Sequence, residues 1–191
     1  MARLIYATNC SLDGHIEDLE GKFDWTEPDD EVHKYINDLM RPMGTHLYGR
    51  RLYETMMVWE TDPNLATSGS PFMRDFAELW LAAEKVVFSR TLKDAPTRRT
   101  RIEREFVASA VKDLKLAAKA EIFIGGAELA AHAFRAGLVE ECHLFIHPII
   151  LGGGKPALPS DVRLELELLQ ERHFGNGTVY LRYRAKQQLV S

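Results

Sequence analysis

The chain has 191 residues, of which 46% are hydrophobic and 27% charged, and its formal net charge is −4. This composition suits one soluble globular domain, residues 1–191, with a sizeable core. The acidic balance gives no electrostatic case for nucleic acid, and no apolar run is long enough to cross a bilayer.

The opening residues, MARLIYATNC, lack the long apolar core of a signal peptide. Only two cysteines occur, Cys10 and Cys142, which argues against a disulfide framework and for the cytosol. Arg3 to Asn9 reads as a first strand, running into a turn-forming cluster, Cys10-Ser11-Leu12-Asp13-Gly14. Thr26 and Pro28 are expected to open a helix with Val32, Tyr35, Ile36, Leu39 and Met40 on its apolar face, stopped by Pro42 and Gly44. His46-Leu47-Tyr48 is a short strand ending at Gly49, and Arg50 to Trp59 reads as a helix. Asp62 to Gly69 is the segment expected to be a flexible loop.

Ser70-Pro71 is a helix start, with a capping hydroxyl and a first-turn proline; Phe72, Phe76, Leu79 and Trp80 form its apolar face. Lys85 to Ser89 is a strand, Thr91 to Thr100 a polar loop, and Ile102 to Val107 a further strand. Ser109 is expected to cap a helix reaching Lys119. Ile122-Phe123-Ile124 then forms a buried strand that stops at Gly125-Gly126, and a helix begins at Ala127 and ends at Gly137. Beyond it the pattern changes. His143 to Ile150 is strand-like and ends at Gly152-Gly153-Gly154, Leu164, Leu166 and Leu168 alternate with glutamates, and Gly175-Asn176-Gly177 signals a hairpin returning along Val179 to Arg184. The predicted fold is therefore α/β: a mixed, mostly parallel sheet with helices on its faces and an antiparallel C-terminal hairpin.

Three strand ends carry candidate chemistry. Gly125-Gly126 lets the backbone approach a ligand closely, and the helix behind it offers free N–H groups to phosphate; the same pair also reads as an ordinary strand-to-helix turn. Gly49-Arg50-Arg51 places two cations at a helix start, against the helix dipole, so a bound anion would compensate them; solvated arginines are the plainer reading. Ser89-Arg90-Thr91 sets hydroxyls beside a cation, or is simply a turn. None of the glycine loops matches the dinucleotide pattern Gly-x-Gly-x-x-Gly, and Gly152-Gly153-Gly154 reads as a flexible turn. His15-Ile16-Glu17 has the His-x-Glu of a zinc deaminase, but no Cys-x-x-Cys accompanies it, so no metal is expected.

Taken in order, Ser11-Leu12-Asp13-Gly14, Gly49-Arg50-Arg51-Leu52-Tyr53-Glu54, Ser89-Arg90-Thr91-Leu92, Ile124-Gly125-Gly126-Ala127-Glu128-Leu129 and Pro148-Ile149-Ile150-Leu151-Gly152-Gly153-Gly154 span nearly the whole chain. In this set the chain resembles the dihydrofolate reductase-like superfamily. Within it, the likeness is to the C-terminal reductase domain of the bifunctional riboflavin-biosynthesis deaminase-reductase. The resemblance implies a three-layer αβα fold, a homodimer, and NADPH bound across the strand ends. It places Gly125, Gly126, Ala127, Glu128 and Leu129 around the pyrophosphate and Gly49, Arg50 and Arg51 on phosphate groups. Ser89 and Arg90 fall near the adenosine ribose and its 2′-phosphate, where an arginine fork suits phosphate oxygens. Leu52 stands where the family motif often has a threonine.

The same resemblance turns the loop from Asn9 to Gly14 toward nicotinamide and substrate. Asp13 is the candidate catalytic group, orienting a substrate hydroxyl or amine or relaying a proton; in the plainer reading it serves an Asp-Gly turn. Asn9 and Asp13 are candidate substrate contacts. Trp25 and Trp59 are candidate aromatic walls for a planar ring, or core residues. His147, before Pro148, reads as a structural strand-end residue. The implied reaction is hydride transfer to a C=N or C=O carbon of a pyrimidine- or pterin-like molecule. The alternatives are dihydrofolate reduction, a nucleotide-binding regulatory module without turnover, and a purely structural dimeric domain.

Overall fold

The computed structural model describes residues 1–67 and 70–186. Eight strands form one sheet in the order β5-β4-β3-β6-β1-β7-β10-β9. They are β1 (Leu4–Ser11), β3 (Met43–Gly49), β4 (Glu84–Phe88), β5 (Thr100–Glu103), β6 (Glu121–Gly125), β7 (Glu141–His147), β9 (Leu166–His173) and β10 (Val179–Ala185). Two further strands, β2 (His15–Glu17) and β8 (Lys155–Pro156), pair with each other beside it. β5, β4, β3, β6, β1 and β7 run parallel, whereas β10 is antiparallel to both β7 and β9.

Alternation along the parallel strands divides the core in two, because successive side chains leave a strand on opposite faces. Leu4, Tyr6, Leu47, Val86, Ile122 and Ile124 pack against α6 (Ala108–Ala117) and α7 (Ala127–Arg135) through Val111, Leu129, Ala130, Ala133 and Phe134. Their neighbours Ile5, Tyr48, Val87 and Phe123 face the other way. They pack on Met40 of α1 (Asp30–Met40), Tyr53 of α2 (Arg50–Met56), and Phe76 and Trp80 of α5 (Pro71–Ala82). Helices thus cover both faces of a mixed sheet, as the sequence pattern predicts. α1 extends its apolar stripe onto the hairpin, where Val32 meets Phe145, Phe174 and Tyr180. On the opposite hairpin face, Val179, Leu166 and Leu168 remain more than a third exposed.

Several boundaries differ from expectation. β1 continues through Cys10 to Ser11, held by β7, before the turn begins. A 3-10 turn at Asp24–Thr26 precedes α1, whose cap is Asp29: its carboxylate accepts from the Val32 N–H. Thr26 and Pro28 therefore lie before the helix. The Arg50–Trp59 helix breaks at Met57 into α2 and α3 (Val58–Thr61). Pro63–Thr67 is helical (α4), correcting a loop from Asp62, and residues 68–69 lie outside the described residues. Ser70 caps α5 as expected, accepting from the Met73 N–H. Ser109 does not cap α6: the helix begins at Ala108, after Val107, with no side-chain cap. Gly137, at φ 62°, ends α7 as predicted.

Candidate active site at the carboxyl ends of the strands

The sheet brings the three predicted loops side by side. Tyr48 of β3 is in register with Gly125 of β6, and Gly49 with Phe88 of β4. The loops that follow Gly49, Phe88 and Gly125 therefore leave the same edge of adjacent strands, the position at which open α/β sheets bind ligands. β1 adds a feature that strand prediction cannot show. It pairs with β6 only over Leu4–Tyr6, then continues along β7 until Ser11 lies opposite His147. From Ala7 onward the ladder is open on the β6 side, between Asn9 and the glycine turn.

Gly125 and Gly126 are required for different reasons. A Cβ on Gly125 would lie 2.6 Å from Leu52 Cδ2 and 2.7 Å from Phe123 Cε1, so any side chain there would force these groups to shift. Gly126 has φ 87° and ψ 120°, which L-residues rarely adopt. It precedes α7 without any side-chain cap, so the first N–H groups of that helix are not taken by a capping side chain. Leu52 packs onto the turn and supplies no hydroxyl. Leu129 is buried in the core, so only its backbone can reach a ligand at this turn.

Charged groups from four elements meet beside the turn. Lys155 Nζ of β8 lies 2.9 Å from Glu128 Oε1 in the first turn of α7 and 3.2 Å from Glu17 Oε1 of β2. Arg51 Nη1 lies 3.6 Å from the same Glu17 oxygen. The hydrogen bond from Lys155 holds the Glu128 carboxyl below its usual pKa. In the sequence Glu17 stands out only in a His-x-Glu pattern and Lys155 not at all, because the pairing of β2 with β8 is what carries them here.

The other two loops are also tied down. Gly49 precedes α2, and Arg50 Nη1 donates to Thr91 Oγ1 at 2.9 Å while Arg50 Nε meets Glu54 at 3.2 Å. Ser89 is nearly buried, and its Oγ accepts from the N–H groups of Thr91 and Leu92. That hydroxyl serves its own turn. Arg104, which sequence reasoning passed over, supports the loop from below by donating to the carbonyls of Ser89 and Leu92 at 3.1 and 2.6 Å. Arg90, four-fifths exposed, makes a 3.5 Å contact with Glu105.

At the end of β1, Asn9 and Trp25 come together around His147. His147 Nε2 is 2.9 Å from Asn9 Oδ1, and the Trp25 ring stands edge-on to the imidazole at 5.6 Å. Burial lowers the His147 pKa. Asp13 faces the other way, toward the glycine-rich loop. It accepts from Ser11 Oγ at 2.6 Å, from the Leu151 N–H at 3.1 Å and from the Gly152 N–H at 2.8 Å. These bonds, that from Ser11 foremost, hold its carboxyl far below the usual range. Gly152-Gly153-Gly154 is accordingly a clamped turn: all three have positive φ, and a Cβ on Gly154 would lie 1.9 Å from the Glu17 carbonyl oxygen. Trp59 is not at this cluster; it packs on Phe76 and His33.

Two open cavities, of about 450 and 390 Å³, lie at the opposite end of the sheet. Their walls, including Ala2, Pro42 and Glu121 in one and Arg3, Glu141 and Arg184 in the other, hold none of the strand-end loops. Among the described residues, no helix is long and apolar enough to cross a membrane, and no cluster of His, Cys, Asp and Glu is arranged to hold a metal.

Comparison with known proteins gives the family and the fold. Residues 2–180 match the family described as the RibD C-terminal domain. The chain is 31% identical over 189 residues to the Bacillus subtilis (strain 168) uncharacterized protein YyaP, covering 95% of this chain and 94% of that one. A putative riboflavin biosynthesis protein from Shewanella sp. PV-4 superposes with a TM-score of 0.74 at 21% identity, over 98% of this chain and all of that one. A pyrimidine reductase-like protein from Corynebacterium diphtheriae gives 0.69 at 14% identity, over 98% and 93%. A diaminohydroxyphosphoribosylaminopyrimidine deaminase/5-amino-6-(5-phosphoribosylamino)uracil reductase from Thermotoga maritima gives 0.64 at 17% identity, over 97% of this chain but 57% of that longer one. The fold is that of the dihydrofolate reductase-like reductase domains, and the chain belongs to the RibD C-terminal domain family.

Proposed function

We propose that the chain is an NADPH-dependent reductase, acting as one domain over residues 1–191 on a pyrimidine of the 5-amino-6-(5-phosphoribosylamino)uracil type. The observation that carries this reading is the gap in the ladder beyond Tyr6, flanked on one side by three loops suited to phosphate and on the other by Asn9, Trp25 and His147. Those loops fit a dinucleotide polyanion. α7 begins without a side-chain cap, Lys155 and Arg51 stand beside its first turn, and Arg50 lies at the neighbouring junction against Thr91 and Glu54.

In this reading the backbone of Gly125 to Leu129 and the Gly49-Arg50-Arg51 corner hold the phosphates. Arg90, exposed beside the Ser89 turn, would hold the 2′-phosphate. When bound, reduced nicotinamide supplies the hydride. The chain's own residues align the acceptor carbon and stabilise the electron pair pushed onto its heteroatom. Asp13, ionised and bonded to Ser11, Leu151 and Gly152, would act on substrate by shaping the loop at the end of β1, and the proton comes from water.

The experiment is oxidation of NADPH, followed by its absorbance, with the phosphorylated pyrimidine and separately with dihydrofolate. Consumption with the pyrimidine supports the reading, consumption with dihydrofolate alone reassigns the substrate, and no consumption with either rejects both reactions. One observation favours a nucleotide-binding module without turnover: Leu52 fills the turn where a hydroxyl is common in the family. Tight NADPH binding with no oxidation across imine and carbonyl substrates would select that reading.

We assign the partner as a second copy of the chain, seated on the hairpin face that carries Val179, Leu166 and Leu168. This face sets these apolar side chains beside Glu171 and His173 and ends in an edge strand, β9, which a partner would cover. Sedimentation of Leu168→Glu as a monomer beside a dimeric parent checks it. Two buried, unpaired cysteines favour the cytosol as the compartment.

A further inference from the structure

His147 and Asn9 lie on neighbouring parallel strands and on the same face of the sheet. Ser11 is in register with His147 and Asn9 with Phe145, so Asn9 and His147 are diagonal neighbours. Their side chains meet at 2.9 Å, Nε2 to Oδ1. His147 is 5% exposed, and Trp25 stands edge-on against its ring, so the imidazole is held in place. An amide oxygen only accepts, so the imidazole nitrogen facing it must carry the proton. With Oδ1 committed, the orientation of the whole Asn9 amide is fixed, and its two N–H bonds point away from His147. Among the described residues, Asn9 Nδ2 has no acceptor. The indole Nε1 of Trp25, in the same cluster, is buried without a partner as well. The unused hydrogens of this cluster all belong to neutral donors.

We propose that His147 is a positioning residue that locks the Asn9 amide, presenting Nδ2 as a neutral hydrogen-bond donor to a carbonyl oxygen or unprotonated ring nitrogen of the substrate. This rests on the reading that substrate occupies the open end of β1. It adds the chemistry of the recognised edge, which must be an acceptor such as the C=O of a pyrimidinedione. A substrate edge made of N–H or ammonium groups would face unpaired donors and be rejected at the cost of a buried, unmet hydrogen bond. Protonation of His147 is not required for the lock, and burial disfavours it.

The test has a spectroscopic arm and a kinetic arm. In the ¹⁵N-labelled free protein, His147 is expected as the neutral tautomer with its proton on Nε2. Adding the phosphorylated pyrimidine to NADPH-saturated protein should shift the Asn9 side-chain N–H₂ resonances. His147→Leu should raise KM for the pyrimidine about tenfold, one neutral hydrogen bond's worth, with the Kd for NADPH unchanged. His147→Gln, whose amide N–H can still donate to Asn9 Oδ1, should restore most of the loss. A proton on Nδ1, unmoved Asn9 resonances, or equal KM in the leucine and glutamine variants would overturn the proposal. If the wild-type protein never oxidises NADPH with this pyrimidine, the proposed reaction is wrong. The His147 tautomer, read in the free protein, then still decides the lock.

Discussion

Leu52 and Gly125 are in mutual contact at the turn that opens α7, with Leu52 Cδ2 occupying the space a Cβ on Gly125 would need. The pair explains why glycine is needed there whether or not a phosphate binds. Gly125→Ala is expected to lose about 1–3 kcal/mol by overpacking, measured by urea unfolding. Leu52→Ala in the same chain should couple to it by at least about 0.5 kcal/mol in a double-mutant cycle, because the two sites share one contact. Additive losses would show that the clash is relieved elsewhere.

Glu128 stands in the first turn of α7, and its carboxylate is shared with Lys155. A cofactor pyrophosphate at the same helix start would meet that charge unfavourably and compete for the lysine. Glu128→Gln should therefore tighten NADPH binding, by roughly fivefold for a charge effect of about 1 kcal/mol. The gain should shrink as salt is raised. Titration at two ionic strengths reads both effects, and Lys155→Ala should change the affinity in the opposite direction.

Much of this architecture was visible in the residue pattern. Ile122, Phe123 and Ile124 read as a buried strand because both faces of the parallel sheet are covered, and Gly137 read as a stop because only a positive φ closes α7. Three strand ends could be foreseen as neighbours. What stayed hidden depends on partners distant in sequence. β1 changes from two partners to one at Ala7, and nothing in LIYATNCS marks that point. Arg104 reaches back to the Ser89 loop, and Lys155 reaches Glu128, through chain crossings that no local spacing encodes. Val107 precedes α6 although Ser109 has the better capping side chain, because helix limits follow packing as well as propensity.

Two of the buried histidines, His46 and His143, weaken stability in acid. Burial lowers the pKa of His46 to about 4, assisted by the Lys85 charge, and lowers that of His143 to about 4 despite the nearby Glu141 carboxylate. In the unfolded chain both would titrate near 6.5. Between those values the unfolded state binds more protons, so stability is full above about pH 6.5 and falls as the pH drops toward 4. The loss should be on the order of 2–3 kcal/mol per histidine. Glu141, buried but bonded to Arg182 and His143, has its pKa lowered to about 2 and would extend the decline below pH 4.5. Urea midpoints between pH 7.5 and 4 should trace this slope; a flat profile would mean the imidazoles are not desolvated.

Asp13 ties the end of β1 to the loop after β7 through the N–H groups of Leu151 and Gly152. Asp13→Ala should leave the sheet intact and speed hydrogen exchange at these two amides, with little change at Ile122 to Ile124. If the loop serves substrate, KM for the pyrimidine should rise while NADPH affinity holds. Unchanged exchange at Leu151 and Gly152 would show that the turn is held by its own backbone.

The change of partners along β1 divides one strand into two regimes of mutational tolerance. Leu4, Ile5 and Tyr6 are locked between β6 and β7 and buried on both faces, so substitutions there are paid in folding. From Ala7 to Asn9 one edge is released, and among the described strands β7 alone pairs with the backbone. A chain evolving a new substrate can thus alter Ala7 to Asn9 while inheriting Leu4 to Tyr6, and the buried Cys10 and Ser11, unchanged. Variation among relatives should rise abruptly after Tyr6, within a single element of regular structure.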